Sequence, residues 1–316
     1  MSAPTSHQPG DHPHLAPPET VEVADGVYAY VQPDGSWWIN NTGFLVGRRG
    51  VTAIDSTSTH RRTEALLAAI GAVTSAPIQT MVNTHHHGDH TNGNCLFTEA
   101  TIIGHTNCRD NMKDQRIGGL DAQFGGVDWG DLSVAAPTLT FEQRIDLHVD
   151  ELAVELHYIG GPAHTTGDVV AWIPDRGVLF AGDLVFNGGT PFVLMGSVAG
   201  SLAALERIRQ FGAATIVPGH GPVGDGNQVD AVAGYLNFVI EVATEGKGAG
   251  LSPLDAAREA DLGPYAELLD TERLVGNLHR AYSELDGQLL GAPIDIGAAF
   301  ADMITFNGGH PLRCLA

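Results

Sequence analysis

Cysteine, cationic side chains and long apolar runs are all scarce in this chain of 316 residues. Its cysteines, Cys95, Cys108 and Cys314, are odd in number, widely spaced and form no C-x-x-C pair. That excludes a disulfide framework and a cysteine-built zinc ribbon, and it points to a reducing cytoplasm. Lysine and arginine together number 16 against 37 acidic residues, a formal net charge of −21. A field of that sign repels phosphate backbones and anionic lipid, so neither nucleic acid nor a membrane is expected as a partner. The N-terminal stretch is rich in Pro, Ser and His and has no apolar core segment, so it reads as neither a signal peptide nor a transmembrane span. Residues 1–20 are expected to form a disordered leader, with His7, His12 and His14 solvated rather than metal-bound.

What the chain does hold is histidine, 15 in all, nearly matching its permanent cations, and a hydrophobic content of 43%, enough for a sizeable core. The expected organisation is a catalytic domain over residues 21–226 followed by a helical extension over 227–316 packed on it. The stretch VEVADGVYAYVQ and, past a turn at Pro33 to Gly35, SWWINNTGFLVG read as the strands of a hairpin, with VTAID as a short buried strand after them. A helical pattern over 59–71 precedes IQTMVN, a strand that runs into THHHGDH. Further strands are expected at ATIIGH, DELAVELHYI, DVVAWIP, GVLFAGD and TIVPGHG, with a helix at about 200–211. Beyond residue 227 the pattern is helical, and Ser252-Pro253-Leu254-Asp255 resembles a capping box with proline at the first helical position.

Chemistry concentrates at strand ends. His85, His87, Asp89 and His90 follow one strand as H-x-H-x-D-H, and His164, Asp183 and His220 each stand where a later strand meets its loop. One such histidine alone is more often a packed core residue than a ligand. Seven imidazoles and carboxylates delivered from strand ends can converge on one sheet edge, and those donors suit zinc and related divalent ions. A carboxylate between two metals could bridge them.

This set resembles the metallo-β-lactamase superfamily over about residues 20–225. The resemblance implies an α/β fold, a four-layer αββα sandwich carrying the C-terminal helical appendage. It further implies that His85, His87 and His164 hold one metal, that Asp89, His90 and His220 hold the other, and that Asp183 bridges. Asp55, closing VTAID, is the implied supporting aspartate, and His86 is not carried over as a ligand. The implied cofactor is two zinc ions per chain. Such a pair generates hydroxide near neutral pH and stabilises an oxyanion or an enolate, which suits both acyl hydrolysis and carbanion chemistry.

Among the superfamily's activities, capped nucleases are excluded because only 37 positions separate Asp183 from His220. The flavodoxin domain of flavodiiron oxidoreductases is not found, and secreted lactamases need an export signal. Glutathione-thioester hydrolases want a basic pocket in the helical extension, where only Lys247, Arg258, Arg273, Arg280 and Arg313 are available. A second resemblance is carried by GDLVFNGGTPFVLMGSVAGSLAALERI, DLGPYAELLDTERLVGNLHRAYSEL and the terminal FNGGHPLRCLA. These are similar to the second-ring cyclases of aromatic (type II) polyketide pathways, the actinorhodin type among them. That resemblance implies an intramolecular aldol condensation and dehydration of a poly-β-ketone on an acyl carrier protein, with thioester hydrolysis as an accompanying option. Metal-bound hydroxide or Asp89 would accept the α-proton. The alternatives are a zinc-dependent hydrolase of a small thioester or lactone and, with little weight, a non-catalytic binding protein.

Trp37 and Trp38 are expected on a flap beyond the turn, and Phe186, Phe192 and Met195 are further pocket candidates. Arg109, Lys113 and Arg116, at i, i+4 and i+7, would share one face of a helix over 105–116 and form a docking surface for an acidic carrier.

Overall fold

The computed structural model describes residues 15–316, so the leader histidines lie outside the described residues. Two sheets stack face to face. The first has seven strands in sequence order: β1 (Glu19–Ala24), β2 (Val27–Val31), β3 (Thr42–Val46), β4 (Val51–Ile54), β5 (Ile78–Val82), β6 (Thr101–His105) and β7 (Leu139–Phe141). Its first four strands are antiparallel and the rest parallel. The second sheet holds β8 (Arg144–Val149), β9 (Leu152–Tyr158), β10 (Val169–Ile173), β11 (Val178–Phe186) and β12 (Thr215–His220), ordered β12-β11-β10-β9-β8.

Alternation along the strands decides which face each residue serves. In β11, Val178 and Phe180 join Leu45, Ile54, Val82 and Val217 in the core between the sheets, while Leu179 and Ala181 face the opposite way into a second core. That second core is roofed by α5 (Val198–Gln210), α6 (Gly226–Gly248), α8 (Arg273–Leu285) and α9 (Ile296–Phe306). Burial on both faces explains why β11 is apolar without interruption up to Gly182. The first sheet's outer face is covered by α1 (His60–Val73), whose Leu66 and Ile70 meet Phe44 and Met81. The result is the expected αββα layering with C-terminal helices.

Three local expectations change. The first hairpin turns at Asp25–Gly26, inside VEVADGVYAYVQ, where Gly26 takes φ +73° and the Asp-Gly pair suits a two-residue turn. Trp37 and Trp38 therefore lie in the connection from β2 to β3 rather than on a strand. That connection is fixed by asparagines: Asn41 Nδ2 donates to Pro218 O at 3.0 Å and to Gly221 O at 2.6 Å, tying it to the His220 loop. Asp183 is not at a strand end, because β11 continues to Phe186, with pairing to β12 shifted around Gly182. Such a bulge re-aims a side chain within a strand. Finally, the helix expected over 105–116 is α3 (Thr106–Met112). Arg116 lies beyond its end, and Arg109 folds back to donate to Pro137 O, so the three cations share no helix face.

Of the expected capping box the N-cap half is present, and the Asp255 carboxylate accepts from the Ser252 hydroxyl at 2.7 Å. Ser252 Oγ accepts from Asp255 N at 3.1 Å at the start of α7 (Pro253–Glu259).

Candidate metal centre

The loop after β5 delivers His85, His86 and His87, and the one-turn helix α2 (Gly88–Thr91) delivers Asp89 and His90. His164 comes from the β9–β10 loop, which is braced by Asp168: its carboxylate accepts from Thr165 N at 2.8 Å and from Thr165 Oγ1 at 2.6 Å. β11 and β12 add Asp183 and His220. These side chains converge into two groups that could each hold a metal ion: His85, His87, His164 and Asp183, and Asp89, His90, Asp183 and His220, with the ligand atoms of each group within 4.8 Å of one another. Asp183 belongs to both. Its Oδ2 lies 3.3 Å from His164 Nε2 and 3.3 Å from His220 Nε2, while its Oδ1 lies 2.9 Å from His90 Nε2. His86 is in neither group.

Asp55 sets the orientation of one histidine in each group. His90 Nδ1 donates to Asp55 Oδ2 at 2.9 Å, and Thr84 Oγ1 donates to the same oxygen at 2.7 Å. Because that hydroxyl proton is committed to Asp55, Thr84 Oγ1 accepts from His85 Nδ1 at 3.1 Å. His85 and His90 therefore both present Nε2 forward. His164 Nδ1 donates to Phe192 O at 2.5 Å, which likewise leaves its Nε2 as the lone pair, 2.7 Å from His87 Nδ1. Locking the remote ring nitrogen in this way fixes tautomer and ring plane together.

The group fits a cation. His85 Nε2 is buried without a hydrogen-bond partner, and His90 Nε2 and Asp183 Oδ1 are buried 2.9 Å apart with no other partner, a costly arrangement that a shared metal would relieve. Three imidazoles with one carboxylate, and two imidazoles with two carboxylates, are suitable donor sets for divalent zinc-like ions. The electrostatics differ between the two groups, the second favouring bound protons where a cation would sit: burial opposes the charge on His90, but Asp183, Asp89 and Asp55 hold it well above the ordinary imidazole range. Burial, reinforced by neighbouring histidines, holds His85 and His87 well below the ordinary imidazole range, in the neutral form a ligand needs. Burial opposes the charge on His220 too, but Asp183 and Asp89 outweigh it and raise its pKa to about 9. Asp183 is held well below the carboxylate range: burial resists ionisation, and His220, His90 and His164 overcome it.

Gly219 serves this geometry by having no side chain. A Cβ there would collide with Asp183 Oδ1.

Both groups open onto a cavity of about 310 Å³. Trp37, Trp38, Phe186, Phe192 and Met195 all line it, and so does Arg116, in place of the helix face expected for it. Sequence reasoning missed Phe124, Phe300 and Arg273 in the same wall. Trp37 meets Phe192 and Phe124 edge-on, at 4.9 and 5.3 Å between centroids, and Trp38 meets Trp129 at 4.7 Å and 71°. Phe186 stacks on the His220 ring at 5.2 Å. Trp37 is anchored by the chain entering α8: its N–H donates to Asp270 Oδ2 at 2.9 Å, its indole Nε1 to Glu272 Oε1 at 2.7 Å, and Arg273 covers its face at 4.0 Å.

The family model described as the Metallo-beta-lactamase superfamily matches residues 35–220, more than half of the chain and the span containing every residue of both groups. The chain belongs to that superfamily. It is 29% identical to a beta-lactamase-like protein 2 homolog of Caenorhabditis elegans, over 54% of this chain and 51% of that protein. It is also 29% identical to a hydroxyacylglutathione hydrolase of Thermosynechococcus vestitus, over 46% of this chain and 48% of that enzyme. The chain thus spans about half the length of these curated relatives. Among solved structures, a metallo-beta-lactamase from Pontibacter korlensis superposes with a TM-score of 0.57 at 20% identity, covering 70% of this chain and 99% of that one, a likeness of fold. Sequence reasoning placed glutathione-thioester hydrolases low, and hydroxyacylglutathione hydrolases are among the curated proteins this chain resembles. Among the described residues, no helix is long and apolar enough to cross a membrane.

Proposed function

We propose that this superfamily member is a zinc-dependent hydrolase acting on a thioester or lactone whose acyl portion is apolar. One observation carries the reading: two ligand groups sharing Asp183 open directly into a cavity walled by aromatic rings. Bound in those groups, two zinc ions would supply Lewis acidity toward a carbonyl oxygen and activation of water near neutral pH. The chain's own residues do the rest. His85, His87 and His164 would hold one ion and Asp89, His90 and His220 the other, with Asp183 shared; Asp55 and Phe192 O hold the rings in place. Phe186, stacked on the His220 ring and 6.1 Å from that of His164, would keep bulk water from that side and strengthen the polar interactions within. Relatives whose names denote hydrolysis of an acylated glutathione favour hydrolysis over ring formation.

The test is thiol release from an N-acetylcysteamine thioester of naphthoic acid by the zinc-loaded protein. His85→Ala is expected to lower turnover at least 1000-fold, and dialysis against a chelator to abolish it reversibly. Turnover indifferent to both would overturn the assignment.

A second reading, aldol cyclisation of a carrier-bound poly-β-ketone, is favoured by the edge-on aromatic walls, which suit a substrate becoming planar. There Asp89, 13% exposed in its side chain and facing the cavity, would accept the α-proton. Mass spectrometry separates the two: loss of water with all carbons retained marks cyclisation, and an uncyclised free acid marks hydrolysis. Three unpaired cysteines fit a cytoplasmic setting for either.

A further inference from the structure

Residues 114–128 build one side of the cavity, through Asp114, Gln115, Arg116, Leu120 and Phe124 among others, yet little fastens them. Phe124, the last residue of α4 (Asp121–Phe124), is the one buried residue of the segment. Gly125 and Gly126 follow it at φ +74° and +87°, so the backbone leaving Phe124 has little stiffness of its own. Among the described residues, a single hydrogen bond joins this segment to anything outside residues 110–130: Leu312 N donates to Gln123 O at 2.8 Å.

The donor is itself well anchored. Leu312 is 1% exposed, and its side chain belongs to the core cluster that contains Phe124, Trp37 and Phe300. Pro311 lies against the same turn, since a Cβ at Gly125 would stand 3.5 Å from Pro311 Cβ. Neither Pro311 nor Leu312 lines the cavity. What they hold does: Phe124 meets Trp37 at 5.3 Å and 65° and Trp38 at 5.6 Å and 86°. A gap of about 0.5–1 Å forfeits a quarter to a half of the attraction at each atom contact, so a wall of rings selects a flat body only while the rings stay seated.

We propose that Leu312 is a positioning residue for substrate recognition: through its N–H and Gln123 O it seats Phe124 in the cavity wall, and so makes the cavity selective for a flat, aromatic acyl body over a puckered one of similar size. This rests on the aromatic cavity being the substrate cavity, and it narrows the substrate class from apolar to planar acyl groups. The selectivity is then set by a residue that does not touch the substrate.

Calorimetry on the zinc-loaded protein tests this with two neutral probes, 2-naphthol and its saturated, puckered counterpart decahydro-2-naphthol. The wild type is expected to bind 2-naphthol roughly tenfold more tightly. In Leu312→Pro, which deletes the N–H, that preference should fall below about twofold while elemental analysis still finds the wild-type zinc content. Leu312→Met, which keeps the N–H and an apolar side chain, should retain the preference. A preference that survives in Leu312→Pro overturns the proposal, and so does its loss in Leu312→Met. Should Leu312→Pro lose zinc or fail to fold, amide hydrogen exchange of the wild type decides. The Leu312 N–H is expected to exchange in concert with the amides of residues 120–126, and 2-naphthol to slow both by the same factor. Protection of 120–126 that leaves the Leu312 amide unchanged overturns the proposal. Binding of neither alcohol would remove this cavity as the substrate cavity, and the proposal with it. Neither probe contains a hydrolysable bond, so absent thioester hydrolysis beside an intact preference for 2-naphthol would sink the hydrolase reading alone.

Discussion

Asp55 stands behind both halves of the metal centre, receiving His90 directly and His85 through Thr84, from a backbone conformation at φ +59° that a non-glycine residue rarely adopts. Its removal should loosen both ion sites. Asp55→Ala is expected to weaken zinc affinity by about 10- to 100-fold, measured by competition with a chromophoric chelator, whereas Thr84→Val should act mainly on the group containing His85. At Gly219 the opposite experiment applies, because an added methyl must displace Asp183 Oδ1. Gly219→Ala should reduce bound zinc below two equivalents in elemental analysis while the protein stays folded; two tightly held ions would show that Asp183 can move without cost. All seven metal-binding candidates were legible as residues, since each is an imidazole or carboxylate in an unusual local pattern. Their division into two groups with Asp183 shared came from the family resemblance and not from any local pattern. That Asp183 sits within a strand and touches both groups depends on a register shift around Gly182, which no local pattern announces.

At the scale of elements, the turn entering α8 couples the C-terminal helices to the cavity through Asp270, Glu272 and Arg273. Asp270 is buried there, and burial lifts its pKa to about 6 even though Arg273 pulls it down. A carboxyl whose folded pKa exceeds its unfolded value holds its proton more tightly when folded. Its stabilising contribution is full below about pH 4 and disappears as pH rises through 6. Relative to Asp270→Asn, the wild type should therefore lose about 2 kcal/mol of unfolding free energy between pH 4 and pH 7. Parallel denaturant titrations of the two proteins measure that difference, and a flat or inverted trend would contradict it. The sequence reads this region as a helix but says nothing of its contact with Trp37, 233 or more positions away. Other elements were missed although their signal was present. RIDLHV in β8 alternates exposed Arg144, Asp146 and His148 with more buried Ile145, Leu147 and Val149. The hairpin was misplaced because Pro-Asp-Gly competed with the shorter Asp-Gly turn that the chain uses.

For the molecule as a whole, the helices after residue 226 are part of the main core. Leu236, Val239, Leu274 and Leu278 belong to the same apolar cluster as Val185 of β11 and Leu205 of α5. Deleting 227–316 should therefore leave a chain that aggregates on expression instead of a smaller metal-binding domain. A soluble, zinc-loaded 1–226 fragment would show that the helices are dispensable. The deletion would also remove one cavity wall, since Arg273 and Phe300 come from those helices. The overall acidity has a different weight from the one composition suggests. The cations in the cavity wall are buried Arg273 and exposed Arg116, so the net −21 governs approach from outside without describing the pocket. The tryptophans offer a way to watch that pocket assemble. Trp38 from the β2–β3 connection and Trp129 from the segment before β7 are held 4.7 Å apart at 71°, close enough for their electronic transitions to couple. The folded protein should therefore show an exciton couplet in far-ultraviolet circular dichroism, a chiroptical signal that neither indole produces alone and that reads out the seating of one cavity wall.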